Sequence, residues 1–178
     1  MNETNMHVGV QGIGTSKIEL QFLRRHGVTH MDALVNGNDT QTLIEHRQQA
    51  KEEGVSLEMI HYDPARSITL AQDPQRDRDI ESYCKVIENV SSAGLRGINY
   101  NFCVLPHQRT PSTPGRGGSS YSSFDLSRFD NDSLSEAGIV TREESFERAG
   151  YFLERVIPVA ESNKVQLASH LDDPPAPV

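Results

Sequence analysis

The chain has 178 residues, with 17 Lys and Arg against 25 Asp and Glu, a formal charge of −8 and a pI near 5.3. That acidity excludes a nucleic-acid or anionic-membrane binder, since either phosphate array would repel it. The length suffices for one domain with a real core, and no stretch approaches the roughly 20 apolar residues of a membrane span. Met1–Met6 is polar, without the basic and apolar regions of a signal peptide. Two cysteines, Cys84 and Cys103, are too few for a disulfide framework, so a cytoplasmic protein with reduced thiols is expected.

In chain order, short apolar strands alternate with amphipathic helices. Met6–Gly12 is strand-like, and Thr15 or Ser16 can cap a helix over Lys17–His26 that Gly27 ends. A second strand covers Thr29–Val35. Asp39 or Thr40 caps the helix Gln41–Glu53, which Gly54 ends. Val55–Tyr62 is a third strand. The helix within Asp73–Ser92 presents Ile80, Tyr83, Cys84, Ile87 and Val90 on one face and is closed by Gly94. Arg96–Leu105 is a fourth strand, Glu143–Asn163 a long helix, and Lys164–Leu171 a fifth strand. Alternation of this kind predicts an α/β fold with parallel strands and right-handed crossovers; a doubly wound sheet and a barrel both satisfy it.

Two segments break the rhythm. Pro106–Ala137, rich in Ser, Pro, Gly and Asp, reads as an irregular insertion after strand 4: a lid, a binding loop or a mobile excursion at the face where α/β proteins bind ligands. The other is Asp172–Val178, which follows the fifth strand with no helix to cover it. A closed barrel needs eight strands and about 250 residues, and an unpaired sheet edge is normally avoided. The expectation is a fragment, a truncated frame or a protein needing a partner.

Several groups could carry chemistry. Gly9, Gly12 and Gly14 follow a strand, but GxGxxG would need a glycine where Lys17 stands, and Val35 and Asn36 replace the ribose-binding acid; Asp32 lies mid-strand. The glycines read as a tight turn. In the fourth strand, alternation puts Asn99 and Asn101 on one face and Tyr100 and Phe102 on the other. An Asn pair in a barrel mouth suits substrate contact, or ties neighbouring loops together. His170, near the end of the fifth strand, is a rim position for a metal-binding imidazole or a structural histidine, with Asp172 placed to orient it. His61 is a weaker rim candidate. His26 and His46 read as solvated helix residues, and His7, His30 and His107 show no ligand spacing.

These residues also carry a resemblance. Gly94-Leu95-Arg96 leading to Tyr100-Asn101-Phe102, then Val156-Ile157-Pro158-Val159-Ala160-Glu161, and above all His170-Leu171-Asp172-Asp173-Pro174-Pro175 are similar to motifs of the mannonate dehydratase family. Arg109-Thr110 and Phe129-Asp130 resemble family residues around the insertion. Leu171 departs from the family's usual Pro, and the first strand lacks its Trp-Tyr opening.

The resemblance implies the N-terminal part of a xylose-isomerase-like TIM barrel, with about five parallel strands and outer helices in a single domain over 1–178. It implies a lyase that dehydrates D-mannonate to 2-keto-3-deoxy-D-gluconate in hexuronate breakdown, using Mn or Fe(II). Asn99, Asn101 and Arg109 would contact the sugar acid, His170 would be the first metal ligand, and Asp172 would support it. The family's other ligands come from later strands, so the isolated chain is expected to be inactive. A non-catalytic partial barrel, or another sugar isomerase or epimerase of this fold, is the alternative. Small sugar acids are the expected partners, with neither nucleic acid nor membrane, and self-association is left open.

Overall fold

A computed structural model describes residues 7–105, 108–130 and 134–171. Five parallel strands form one sheet: β1 (Gly9–Ile13), β2 (His30–Ala33), β3 (Ser56–His61), β4 (Gly97–Tyr100) and, after the insertion's β5 (Thr110–Pro114) and β6 (Ser120–Ser123), β7 (Gln166–Ser169). The strand order is β1-β2-β3-β4-β7, each chain-order neighbour pairing with the next. An order without reversal is that of a barrel wall; a doubly wound sheet would switch direction part-way. Among the described residues β1 and β7 are not paired with each other, so the sheet they form is open.

Helices α1 (Lys17–Arg25), α2 (Thr40–Glu52), α4 (Gln75–Ser92) and α5 (Arg142–Asn163) connect the strands, and the one-turn α3 (Arg66–Thr69) precedes α4. Their ends follow local chemistry. Ser16 caps α1 through a capping box with Glu19, Asp39 accepts from Thr42 N at 2.7 Å, and Thr141 forms a capping box with Glu144. Gly27, Gly54 and Gly94 follow α1, α2 and α4 with φ of 78°, 76° and 75°, the left-handed stop that lacks a steric penalty only in glycine. α5 ends instead on Lys164, at φ 56°. Thr15 does not cap; it is buried, with Oγ1 2.6 Å from His46 Nδ1. His46 is therefore half-buried and partnered rather than solvated, while His26 is exposed.

The core lies between sheet and helices. Leu20, Leu43, Ile60, Ile87, Ile98 and Val156 are each fully buried. Phe152 of α5 is its hub, with Tyr83, Tyr100 and Phe102 rings at 5.0, 5.9 and 5.6 Å. Burial pushes the Tyr83 hydroxyl far up from its ordinary pKa, and it donates to Tyr62 O at 3.1 Å. At Gly37 any Cβ would lie 2.6 Å from Val86 Cγ1, so only glycine lets α4 approach here.

The insertion is less irregular than its composition suggests. Thr110–Pro114 (β5) and Ser120–Ser123 (β6) make an antiparallel hairpin around Gly117 and Gly118, both at positive φ. Thr110 anchors it, donating to Ser123 O at 3.2 Å and accepting from Asp125 N at 3.1 Å. Its strands are built from Thr, Ser and Pro, so no apolar period marks them. Pro106 and His107, like Met6 and the Asp172–Val178 tail, lie outside the described residues.

Candidate active site at the strand C-termini

Strand β4 stops at Tyr100, sooner than the apolar run suggests, because Asn101 leaves the ladder. Its N–H donates 2.6 Å to Asp63 Oδ1, just past the end of β3. The alternation nevertheless holds. Tyr100 and Phe102 pack on Phe152, whereas Asn99 and Asn101 face the other way, onto the open side of the sheet.

Both asparagines are tied down. Asn99 is buried and donates 2.7 Å to Asp32 Oδ2, and Asp32 Oδ1 accepts from Gly12 N at 3.0 Å. One carboxylate thus joins β1, β2 and β4, which satisfies the buried amide. The Asn101 amide is 3.1 Å from Asp63 Oδ1 and 3.1 Å from His61 Nε2, and His61 Nε2 is itself 3.2 Å from Asp63. His61 Nδ1 is buried without a partner among the described residues. The pair thus ties neighbouring segments together, Asn99 to β2 through Asp32 and Asn101 to the end of β3 through Asp63.

His170 follows β7, and its N–H donates to Tyr100 O at 2.8 Å. The Asn99–Ala168 and Tyr100–Ser169 register sets it beside Asn101. Its Nδ1 lies 2.6 Å from Leu171 O. With Asp32, Asn99, His30, Glu58 and Met59 it lines a cavity of about 700 Å³ on the open sheet face. Arg109 lies exposed at the foot of the hairpin, where Nη1 donates to Gln108 O at 2.9 Å. Asp172 is outside the described residues.

Asp63 and Asp32 were not singled out as site residues from sequence. Asp63 stands two positions after His61, and that place beyond a strand end was the only signal. Arg66 adds a clamp: it donates to Cys103 O at 2.7 Å and Val104 O at 3.1 Å, and pairs with Glu136 at 2.6 Å, fastening the start of the insertion and its far end to α3. Neither Cys84 nor Cys103 is in a disulfide, and burial, with Glu88 and Glu81 nearby, pushes the Cys84 thiol above its ordinary pKa. Among the described residues no three His, Cys, Asp or Glu side chains are grouped to hold a metal. No helix among them is long and apolar enough to cross a membrane.

The family model for D-mannonate dehydratase (UxuA) matches residues 12–141 and 132–178. The chain belongs to the D-mannonate dehydratase family. A mannonate dehydratase of Thermotoga maritima is 31% identical over 167 residues, spanning 72% of this chain and 45% of the relative. One from Shouchella clausii is 31% identical, spanning 65% and 42%. The chain therefore spans less than half the length of these relatives. In fold it matches the mannonate dehydratase of Streptococcus suis serotype 2 at a TM-score of 0.83 and 23% identity, over 98% of this chain and 56% of that one. A D-psicose 3-epimerase from Clostridium cellulolyticum H10 matches at 0.58 and 13% identity, over 91% and 51%. The fold is the α/β wall of a TIM barrel of the xylose-isomerase-like kind.

Proposed function

We propose that this chain supplies one wall of a hydro-lyase site that dehydrates D-mannonate to 2-keto-3-deoxy-D-gluconate. The observation that carries the reading is the family match, which runs through the rim where Asn101, His61 and His170 stand side by side. Removing a proton beside a carboxylate builds charge on the substrate, and a divalent ion, Mn or Fe(II), would neutralise that charge when bound. The described residues do not make a metal site unaided. With Nδ1 engaged at Leu171 O, His170 is suited to give one donor through Nε2. The remaining donors have to come from elsewhere.

The chain's own part is binding and orientation. Asp63 fixes the Asn101 amide and the His61 ring at the rim, so both meet a polyhydroxy acid without first being ordered. Asn99 is less available, because Asp32 takes its amide hydrogen. Arg109 would reach the substrate carboxylate only if the hairpin foot turns inward. The shared fold of the D-psicose 3-epimerase keeps sugar epimerisation as the competing activity, but the sequence relatives favour dehydration.

The test joins this chain to the part of the Thermotoga maritima relative outside the matched segment. Keto-acid formation from D-mannonate with Mn²⁺ is expected. In the fusion, His170→Ala is expected to lose both bound metal and turnover, and the exposed His26→Ala to keep both. A folded fusion that binds metal but only epimerises sugars would replace this reading; a His170→Ala variant with metal and rate intact would remove His170 from it.

A further inference from the structure

At the ends of β3 and β4, one carboxylate oxygen gathers three donors. Asp63 Oδ1 accepts from Asn101 N at 2.6 Å, and Asn101 Nδ2 and His61 Nε2 lie 3.1 and 3.2 Å from it. Nδ2 and Nε2 are also 3.1 Å apart, so the ring nitrogen either accepts from Asn101 or donates to Asp63. The other side of the ring decides. His61 Nδ1 is buried, with no hydrogen-bond partner among the described residues. Any form of the ring with a hydrogen on Nδ1 therefore buries an N–H without an acceptor. With the hydrogen on Nε2 alone, the ring donates to Asp63 and only a lone pair is left unmatched, which is the smaller cost.

The donor and acceptor count at the rim follows. The Asn101 side-chain N–H, like its backbone N–H, goes to Asp63, and so does the ring N–H. What is left is two acceptors, Asn101 Oδ1 and Asp63 Oδ2, neither with a hydrogen bond among the described residues. The Asp63 side chain is 46% exposed. Arg66, three residues on, gives its N–H groups to Cys103 O, Val104 O and Glu136, so it does not neutralise Asp63. A charged acceptor beside a neutral one attracts hydroxyl donors and repels a carboxylate.

We infer that Asp63 and Asn101 form a subsite for the hydroxyl tail of the ligand, with Asp63 as the residue that sets its polarity. The ligand class is a chain of adjacent hydroxyls, whether or not its other end carries a charge. The choice of a sugar acid rests on the dehydratase reading, and the subsite gives that acid a direction. Its tail hydroxyls donate to Asn101 Oδ1 and Asp63 Oδ2, and its carboxylate points away from Asp63, to the side of Asn101 where the strand register sets His170. His61 is a positioning residue here. Its Nε2 is engaged with Asp63, which steadies the carboxylate and closes that nitrogen to a metal ion.

The experiment reads the His61 ring nitrogens and the Asn101 side-chain amide by NMR in the ¹⁵N-labelled 178-residue chain. It is titrated with D-mannonate, with the neutral polyol D-mannitol, and with propionate, a carboxylate without hydroxyls. The ring is expected to carry its hydrogen on Nε2. D-Mannonate and D-mannitol are expected to shift both residues with dissociation constants on the order of 10 mM, and propionate to shift neither. Asp63→Asn should weaken both polyols about tenfold, and the exposed His26→Ala should leave them unchanged. The three-ligand comparison on the unaltered chain decides the matter even if Asp63→Asn unfolds. A ring hydrogen on Nδ1, shifts from propionate equal to those from D-mannonate, or no shift from either polyol would overturn the inference. Turnover by the joined protein without polyol shifts here would remove this subsite and leave the dehydratase reading standing; polyol shifts without turnover would do the reverse.

Discussion

The middle of the sheet and its flanks are built from the same β/α unit, yet they differ in how far their groups are satisfied. In the middle, all of β4 is buried, the aromatic cluster closes over Tyr100, and the polar side is tied by Asp32 and Asp63. At the flanks, β1 and β7 are largely exposed, and Ile18, Phe22 and Ile157 face solvent. Stability therefore resides in the middle, while the flanks leave apolar side chains exposed. His61 and Asn101 are held by the middle of the sheet, whereas His170 follows the edge strand β7.

That contrast breaks most visibly at Phe152. Its replacement by Ala should cost about 3–5 kcal/mol in urea denaturation, because three rings lose their common neighbour. A loss below about 1 kcal/mol would mean the middle is not closed as described. Asp32→Ala comes next, at about 1–3 kcal/mol, since it orphans the Asn99 amide and the Gly12 N–H together. Asp39→Ala removes one cap and should cost about 1 kcal/mol. Ile18→Ser, on the open flank, should stay within about 0.5 kcal/mol. If Ile18 matters as much as Asp32, the flank is already covered.

A pH series sharpens the same comparison. Hydrogen bonds from Ser16 and Thr141 hold the Glu19 and Glu144 carboxyls below their ordinary pKa. A depressed carboxyl contributes stability above its unfolded pKa and loses it as pH falls through the folded one. Circular dichroism should thus show α1 and α5, the two flank helices, weakening at acid pH below the usual glutamate range. With Ser16→Ala and Thr141→Ala together, that acid loss should shrink.

Much of the fold was legible in the residues because its signals are local. The cap residues Ser16 and Asp39 and the stop glycines Gly27, Gly54 and Gly94 act within one turn of the helix ends they mark. The alternation through Asn99, Tyr100, Asn101 and Phe102 placed each side chain on its observed face. What escaped is non-local or lacks contrast. The Thr110–Ser123 hairpin alternates polar with polar. α3 is a single turn. His46 found Thr15 across 31 residues, and Asp63 found Asn101 across 38, which no spacing rule anticipates. For the site, Asn101 and His170 were placed together at the rim, but the carboxylate that orients Asn101 emerged only in three dimensions.

The most direct test of the account is keto-acid formation from D-mannonate, with Mn²⁺ present, by the 178-residue chain alone and by the chain joined to the part of the Thermotoga maritima relative outside the matched segment. The account predicts turnover only in the joined form, because among the described residues no three His, Cys, Asp or Glu side chains are grouped to hold a metal. Turnover by the purified chain alone, surviving removal of host enzyme and lost in His170→Ala, would contradict it and show that these five strands already hold a complete site.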